Sequence, residues 1–160
     1  TAGGGRFFHG QHPSADTPLV GGCEYAGVVL ECGKKCRILK KGDRVCGIQD
    51  TALRKQPGTW AEQTQAPEHH VVPIPSNISF VDAAAAAMGS FIARDMYKRA
   101  RLRKTGQRCL VLGASGGLGT VLLQLLRRHE GLHITAVCSG KHTELVRRLG
   151  ADEVVDYKKA

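Results

Sequence analysis

Cys109-Leu-Val-Leu-Gly-Ala-Ser-Gly-Gly-Leu-Gly119 runs straight into a segment whose apolar residues recur at helical spacing. The short apolar run at its start reads as a buried strand, and Gly113, Gly116, Gly117 and Gly119 read as a tight turn. Leu118, Val121, Leu122, Leu125 and Leu126 then put one apolar face on a helix. Strand, glycine turn and helix in that order aim unpaired backbone N–H groups and the positive end of a helix dipole at one point, where a pyrophosphate fits. A glycine pattern alone is weak evidence. Its setting between a strand and a helix gives it content.

Working outward, a second apolar run spans Ile134 to Cys138, and a short helical pattern passes through Leu145, Val146 and Leu149. Gly150 stands where a helix C-cap is expected, and Val154-Val155 supplies a third strand. This β-α-β-α-β order is half of a doubly wound dinucleotide-binding sheet, so the fold class is α/β. Glycines that merely allow close helix–strand packing in another α/β domain are the plainer alternative.

The residues after the second strand bear on the choice of dinucleotide. NAD sites place an acidic residue about 20 residues past the glycine turn, to bond the ribose 2′-hydroxyl. Here the chain reads Cys138-Ser139-Gly140-Lys141-His142, and the next carboxylate is Glu144, already on the following helix. A hydroxyl, a lysine and a protonatable histidine suit a 2′-phosphate, which points to NADP. Lys141 and His142 as solvated helix-start residues would leave the same trace.

The first half differs in character. Gly21 to Gly33, Lys41-Gly-Asp-Arg-Val45, Gly58-Thr-Trp-Ala-Glu62 and His69 to Pro75 are short β-rich runs between Gly and Pro turns. They indicate a compact β domain. Ser79-Phe-Val-Asp82 reads as a capping box opening a helix over 83–87, with Gly89-Ser90 a candidate bend before the run continues towards Leu102. The domain boundary is therefore expected near 75–79, giving a β domain over 1–77 and a nucleotide-binding domain over 78–160.

Gly22-Cys-Glu-Tyr-Ala-Gly27, Gly42-Asp-Arg-Val45, Gly58-Thr-Trp-Ala-Glu62, Gly113-Ala-Ser-Gly-Gly-Leu-Gly119 and Leu149-Gly-Ala-Asp152 stand in a specific order and spacing. With them the chain resembles the medium-chain dehydrogenase/reductase superfamily, in its zinc-free quinone oxidoreductase branch. Cys138-Ser139 and Val155-Asp-Tyr-Lys158 are similar to the reticulon-interacting mitochondrial oxidoreductases of that branch. The resemblance implies a partial GroES-like β domain followed by the first half of a Rossmann doubly wound parallel sheet, with a substrate cleft between the two in the family.

It further implies an NADPH-dependent oxidoreductase that passes hydride to a quinone or an α,β-unsaturated carbonyl without zinc. Carried over by motif, Ser115, Gly116, Gly117 and Leu118 meet the pyrophosphate, Ser139 and Lys141 the 2′-phosphate, and Tyr157 the adenosine portion. Tyr157 reads equally well as an ordinary strand-end aromatic. Relatives with Thr-Ala near the nicotinamide have Ile92-Ala93 as their counterpart here, so a hydroxyl donor is lost. The match starts inside the β domain and stops after the third Rossmann strand, which implies a fragment of a longer protein. A homodimer or larger assembly is implied for the full length.

No metal is expected. The zinc relatives' Gly-His-Glu is Gly22-Cys23-Glu24 here, and Met88 falls where they carry a cysteine ligand. Cysteines 23, 32, 36, 46, 109 and 138 contain no Cys-x-x-Cys pair and read as scattered thiols. No catalytic acid is assignable from sequence: Tyr25 and Glu24 fall near the expected cleft but Glu24 reads as a buttress, and Tyr97 and the seven histidines have no visible partner.

The 160 residues carry 23 Lys and Arg against 14 Asp and Glu, a formal charge of +9. Arg94, Lys98, Arg99, Arg101, Arg103, Lys104 and Arg108 make a basic stripe that could contact nucleic acid or another anionic partner. A solvated helix end accounts for the same pattern, and the scarcity of nearby aromatics gives base stacking no support. No stretch of 18 apolar residues occurs, and the opening Thr1 to His9 reads as a loop without the apolar core of a secretory signal. Unpaired-looking cysteines with a nucleotide site point to a reducing compartment, the cytoplasm or the mitochondrial matrix. Two readings of function remain: the reductase, and a non-catalytic family member kept as a nucleotide-binding or structural subunit.

Overall fold

Three antiparallel strands, β1 (Glu24–Val28), β2 (Arg44–Ile48) and β3 (Val71–Pro73), form a sheet in the order β1-β2-β3. In the computed structural model residues 20–49, 58–102 and 106–159 are described. The opening loop, Arg103 and Lys104 lie outside them. The described residues fall into two compact units that meet between Met88 and Gly89.

In the first unit the Gly42-Asp-Arg-Val45 motif explains itself. Gly42 has φ of +93°, open to glycine at little cost, and turns the chain into β2. Asp43 Oδ2 accepts the Lys40 N–H at 2.9 Å, closing that turn. The Arg44 guanidinium donates to the carbonyls of Pro75, Ser76 and Ile78 and lies 4.7 Å from the centre of the Phe80 ring. One side chain thus fixes the chain's exit from β3.

Glu68 does the same for the loop before β2. Its Oε1 accepts the N–H groups of Arg37 at 2.9 Å, Ile38, and Leu39 at 3.1 Å, together with the Cys36 thiol at 2.9 Å. These donors favour the charged carboxylate and lower its pKa to about 2, the Cys36 thiol first and the Ile38 N–H next.

Helix α1 (Phe80–Arg99) opens with the Ser79 half of the expected capping box. Ser79 Oγ accepts the Asp82 N–H at 3.1 Å and donates to Asp82 Oδ2 at 2.6 Å. The helix runs through Gly89-Ser90 without a break and ends at Arg99, short of Leu102. Ala83 and Ala93 are its buried residues.

The second unit holds β4 (Arg108–Leu112), α2 (Gly117–Arg127), β5 (His133–Cys138), α3 (Thr143–Arg148) and β6 (Glu153–Asp156). The three strands are parallel in the order β4-β5-β6, as expected for half of a Rossmann sheet. Val111, Leu122, Leu123, Leu126, Ile134, Ala136 and Val146 form the core. Each fully buried leucine there contributes about 1.5–3 kcal/mol.

Two expectations need correction. The buried face of α2 is Gly119, Leu122, Leu123 and Leu126, rotated from the sequence reading: Leu123 is fully buried and Leu118 is 40% exposed. Leu118 sits in the first turn, above the glycine turn and beyond the core. Strand β4 is not buried along its length either, because only Val111 is, while Leu110 and Leu112 are exposed. Among the described residues β4 has a neighbour on one side only.

Helix α3 ends on a Schellman motif: Gly150 N–H reaches Arg147 O and Ala151 N–H reaches Val146 O, both at 3.0 Å. Gly150 has φ of +116°, and a methyl there would stand 2.7 Å from Arg127 Cβ. Asp152 follows, its Oδ2 accepting the Ile134 N–H at 2.8 Å and its Oδ1 meeting Arg127 at 3.1 Å. The Leu149-Gly-Ala-Asp152 motif is thus a helix stop and an anchor to β5.

Gly150→Ala is expected to destabilise the protein carrying this chain by about 1–3 kcal/mol, since it combines a strained backbone with a clash. Gly106→Ala, with φ of +74° but open space around it, is expected to cost less; chemical denaturation compares them. Glu68 gives a pH dependence. Its folded pKa lies below the ordinary 4.5, so its contribution is present above pH 4.5 and lost as pH falls towards 2. Glu68→Gln is expected to lower stability at pH 7 and to flatten that acid limb, measured by denaturant midpoints from pH 7 to 2.5.

Candidate functional site

The glycine turn is set by three contacts. Gly113 leaves β4 with φ of +67°, and the Ala114 N–H bonds Val137 O on β5 at 3.0 Å. A Cβ on Gly119 would stand 2.7 Å from Ala114 Cα. Glycine at 119 therefore lets α2 sit directly on the turn. Gly116 is the N-cap, with no side-chain hydrogen bond to the helix end. The N–H groups of Gly117 and Leu118 thus emerge uncapped from an 11-residue helix, next to half-buried Ser115. This brings Ser115, Gly116, Gly117 and Leu118 together at one helix end.

Ser139, Lys141 and Tyr157 follow β5 and β6, whose carboxyl ends lie side by side with Cys138 opposite Asp156. Ser139, Gly140, Lys141, Asp156, Lys158 and Lys159 line a recess of about 320 Å³. Ser139 is only 7% exposed, and its Oγ has no hydrogen-bond partner among the described residues. A buried hydroxyl without a partner costs about 1–3 kcal/mol, so such atoms mark places where something else binds. Tyr157 is exposed at the end of β6, its N–H bonded to Cys138 O at 3.3 Å, and it does not line the recess.

The sequence reading missed three of these lining residues. It found no carboxylate before Glu144, yet the parallel pairing of β5 with β6 brings in Asp156. Asp156 Oδ1 accepts the Lys158 N–H at 3.1 Å, and its Oδ2 sits where a Cβ on Gly140 would be, 2.5 Å away. Its charge and, before it, burial hold the Cys138 thiol above its usual pKa. Lys158 and Lys159 come from the same strand end. The signal available in the sequence was the strand pair itself: Val154-Val155 set beside Ala136-Val137 implies that the residues after both strands meet.

Elsewhere the expected residues are structural. Glu24 Oε1 accepts the Met88 N–H at 2.9 Å, the buttress it was read as. Tyr25 donates to His70 O at 3.4 Å, and burial first, then Cys46, pushes its pKa up to about 12. Ile92 is half-buried in α1. Cys32, Cys36, Cys46, Cys109 and Cys138 form no disulfide among the described residues. Among the described residues, no three His, Cys, Asp or Glu side chains converge closely enough to hold a metal ion, and no helix is long and apolar enough to cross a membrane. In the basic stripe, Arg99 pairs with Asp95 at 2.7 Å and Arg108 with Glu153 at 3.6 Å, while Arg94, Lys98 and Arg101 are exposed.

The alcohol dehydrogenase GroES-like domain family matches residues 5–76. Over 145 residues the chain is 39% identical to the NAD(P)H oxidoreductase RTN4IP1, mitochondrial, of Bos taurus, covering 88% of this chain and 36% of that protein. Over 156 residues it is 38% identical to the 2-methylene-furan-3-one reductase of Solanum lycopersicum, covering 94% of this chain and 40% of that one. Its structure is similar to that of mycobacterial Rv1454c complexed with NADPH, with a TM-score of 0.72 and 27% identity over 87% of this chain and 42% of the other.

The homologues of this chain are quinone and enone oxidoreductases of the medium-chain dehydrogenase/reductase superfamily. The chain spans about two fifths of the length of the relatives it matches. In superfamily terms the first unit contains the GroES-like strands and the second the opening half of the Rossmann sheet.

Ser139→Ala removes a hydroxyl that has no partner and adds no volume. It is expected to leave stability unchanged or raise it by up to about 1 kcal/mol, read from denaturant midpoints. A loss above that would make the hydroxyl a structural group.

Proposed function

We propose that this chain is the cofactor-gripping part of an NADPH-dependent oxidoreductase that delivers hydride to a quinone or an α,β-unsaturated carbonyl without zinc. The observation that carries the reading is the recess after β5, lined by Ser139, three lysines and one carboxylate, where the buried Ser139 hydroxyl has no partner among the described residues. That balance favours an added anion, and a 2′-phosphate is the anion that separates NADP from NAD.

NADPH fits the residues present. Ser115, Gly116, Gly117 and Leu118 would hold the pyrophosphate by backbone N–H groups and the helix dipole. Ser139 would donate to the 2′-phosphate and Lys141 would neutralise it, with Tyr157 beside the adenosine. When bound, the cofactor supplies the hydride from its nicotinamide. The chain's own work is to orient it. Ile92 gives no hydroxyl to the nicotinamide end, so positioning there falls to other groups. Tyr25 is held protonated and donating to a backbone carbonyl, which makes it a support for β2 and leaves the proton donor to other groups.

Zinc independence is supported by Met88, a poor zinc ligand that stands for the relatives' cysteine, whereas Cys23, in place of their histidine, is itself able to bind zinc. The reductase names among the relatives support the acceptor class, and the mitochondrial one supports the mitochondrion as its place. A homodimer or larger assembly of the full-length protein is part of the same proposal.

Titration of the protein carrying this chain with NADPH and NADH is expected to give at least tenfold tighter NADPH binding, about 1.4 kcal/mol. Lys141→Ala is expected to narrow that ratio without touching NADH affinity. Ser139→Ala is expected to narrow it further. Tighter NADH binding, or unchanged NADPH affinity in Lys141→Ala, would overturn the assignment.

A further inference from the structure

The first unit contains a thiol pair that the cofactor site does not use. Cys32 and Cys36 flank the turn over 33–36, which is closed by the Cys36 N–H bonding Gly33 O at 2.9 Å. Both sulfurs meet the same acceptor, Leu39 O, at 3.3 and 3.4 Å. Both residues are half-exposed, and Lys34, Lys35 and Arg37 between and beside them are exposed. Cys138, by contrast, is buried.

We propose that Cys32 and Cys36 are an oxidisable dithiol that forms an intramolecular disulfide across the 33–36 turn, with a glutathione-type disulfide as the oxidant. Two side chains that already converge on one oxygen need only side-chain rotation and a small turn adjustment to bring the sulfurs to about 2.05 Å. The order of events follows from Glu68. Its carboxylate, 2.9 Å from Cys36 Sγ, opposes negative charge on that sulfur and holds the Cys36 thiol above its usual pKa.

Cys32 therefore reacts first. Its thiolate attacks one sulfur of glutathione disulfide, the S–S bond breaks, and one glutathione thiolate leaves. Cys36 then attacks the Cys32 sulfur of the mixed disulfide. A second glutathione leaves, taking up the Cys36 proton. Two protein thiols are oxidised by two electrons, and one disulfide is reduced to two thiols. The product removes the S–H donor that Glu68 accepts and leaves it three backbone N–H groups, so oxidation loosens the clamp on residues 37–39.

The test equilibrates the reduced protein carrying this chain in glutathione buffers of graded oxidised fraction, alkylates the remaining thiols and maps peptides by mass spectrometry. The expected result is a Cys32–Cys36 link, two hydrogens lighter than the dithiol, appearing in one two-electron transition. Cys36→Ser is expected to stop at a glutathione adduct on Cys32, and Cys46→Ser to leave the link intact. In wild type, separate glutathione adducts on Cys32 and Cys36 with no link, or a link to another cysteine in preference, would overturn the proposal. An adduct forming in Cys36→Ser only at other cysteines would overturn the order.

Discussion

The close approach of α2 to the turn after β4 is the constraint on which the second unit depends. It needs a residue without a side chain at 119, because a Cβ there would press into Ala114. That approach does two things at once. It seats Leu122, Leu123 and Leu126 on Ile134 and Ala136, and it points the uncapped start of α2 past the carboxyl end of β4. The Ala114 N–H then ties the turn to Val137, one residue before Cys138 and two before Ser139. Core packing and ligand geometry are therefore one arrangement: a larger residue at 119 would shift both the leucines and the N–H groups.

Much of this was legible. The strand–turn–helix, the Gly150 stop, the capping box at Ser79 and the parallel class all rest on local rules, where a residue acts on neighbours within four or five positions. What escaped were long-range effects. The exposure of Leu110 and Leu112 depends on which strands flank β4, and that is a property of sheet order. The rotated face of α2 depends on where the helix axis lies over the sheet, and five leucines and a valine in ten residues leave that angle open. Asp156, Lys158 and Lys159 entered the recess only through the β5–β6 register, 18 residues apart in sequence. In the first unit, Glu68 clamps a loop about 30 residues upstream, and no period or motif signals it.

Hydrogen-bond satisfaction sorts the polar residues into those that hold the fold and those that await something. Glu68 accepts four donors, Arg44 serves three carbonyls, and Asp152 bonds both a strand N–H and Arg127. Each is saturated, so each is explained by the unit it belongs to. Glu24 and Tyr25 join them, though both lie in a motif shared with enzymes, because each reaches a backbone group. Ser139 stands apart: it is buried at the end of β5, beside lysines, with an idle hydroxyl.

That contrast bears on how charge is used. The described members of the stripe, Arg94, Lys98, Arg99, Arg101 and Arg108, are exposed and partly paired, which is how solvated charge behaves. The three lysines of the recess surround a single carboxylate that is already occupied by the Lys158 N–H and abuts Gly140. A like-signed group of this kind raises the free energy of the empty recess and lowers that of one filled by an anion. Net charge alone pointed to the larger, more visible stripe. The recess is smaller, but in it lysine charge lies beside a buried hydroxyl with no partner among the described residues, and an anion relieves both at once.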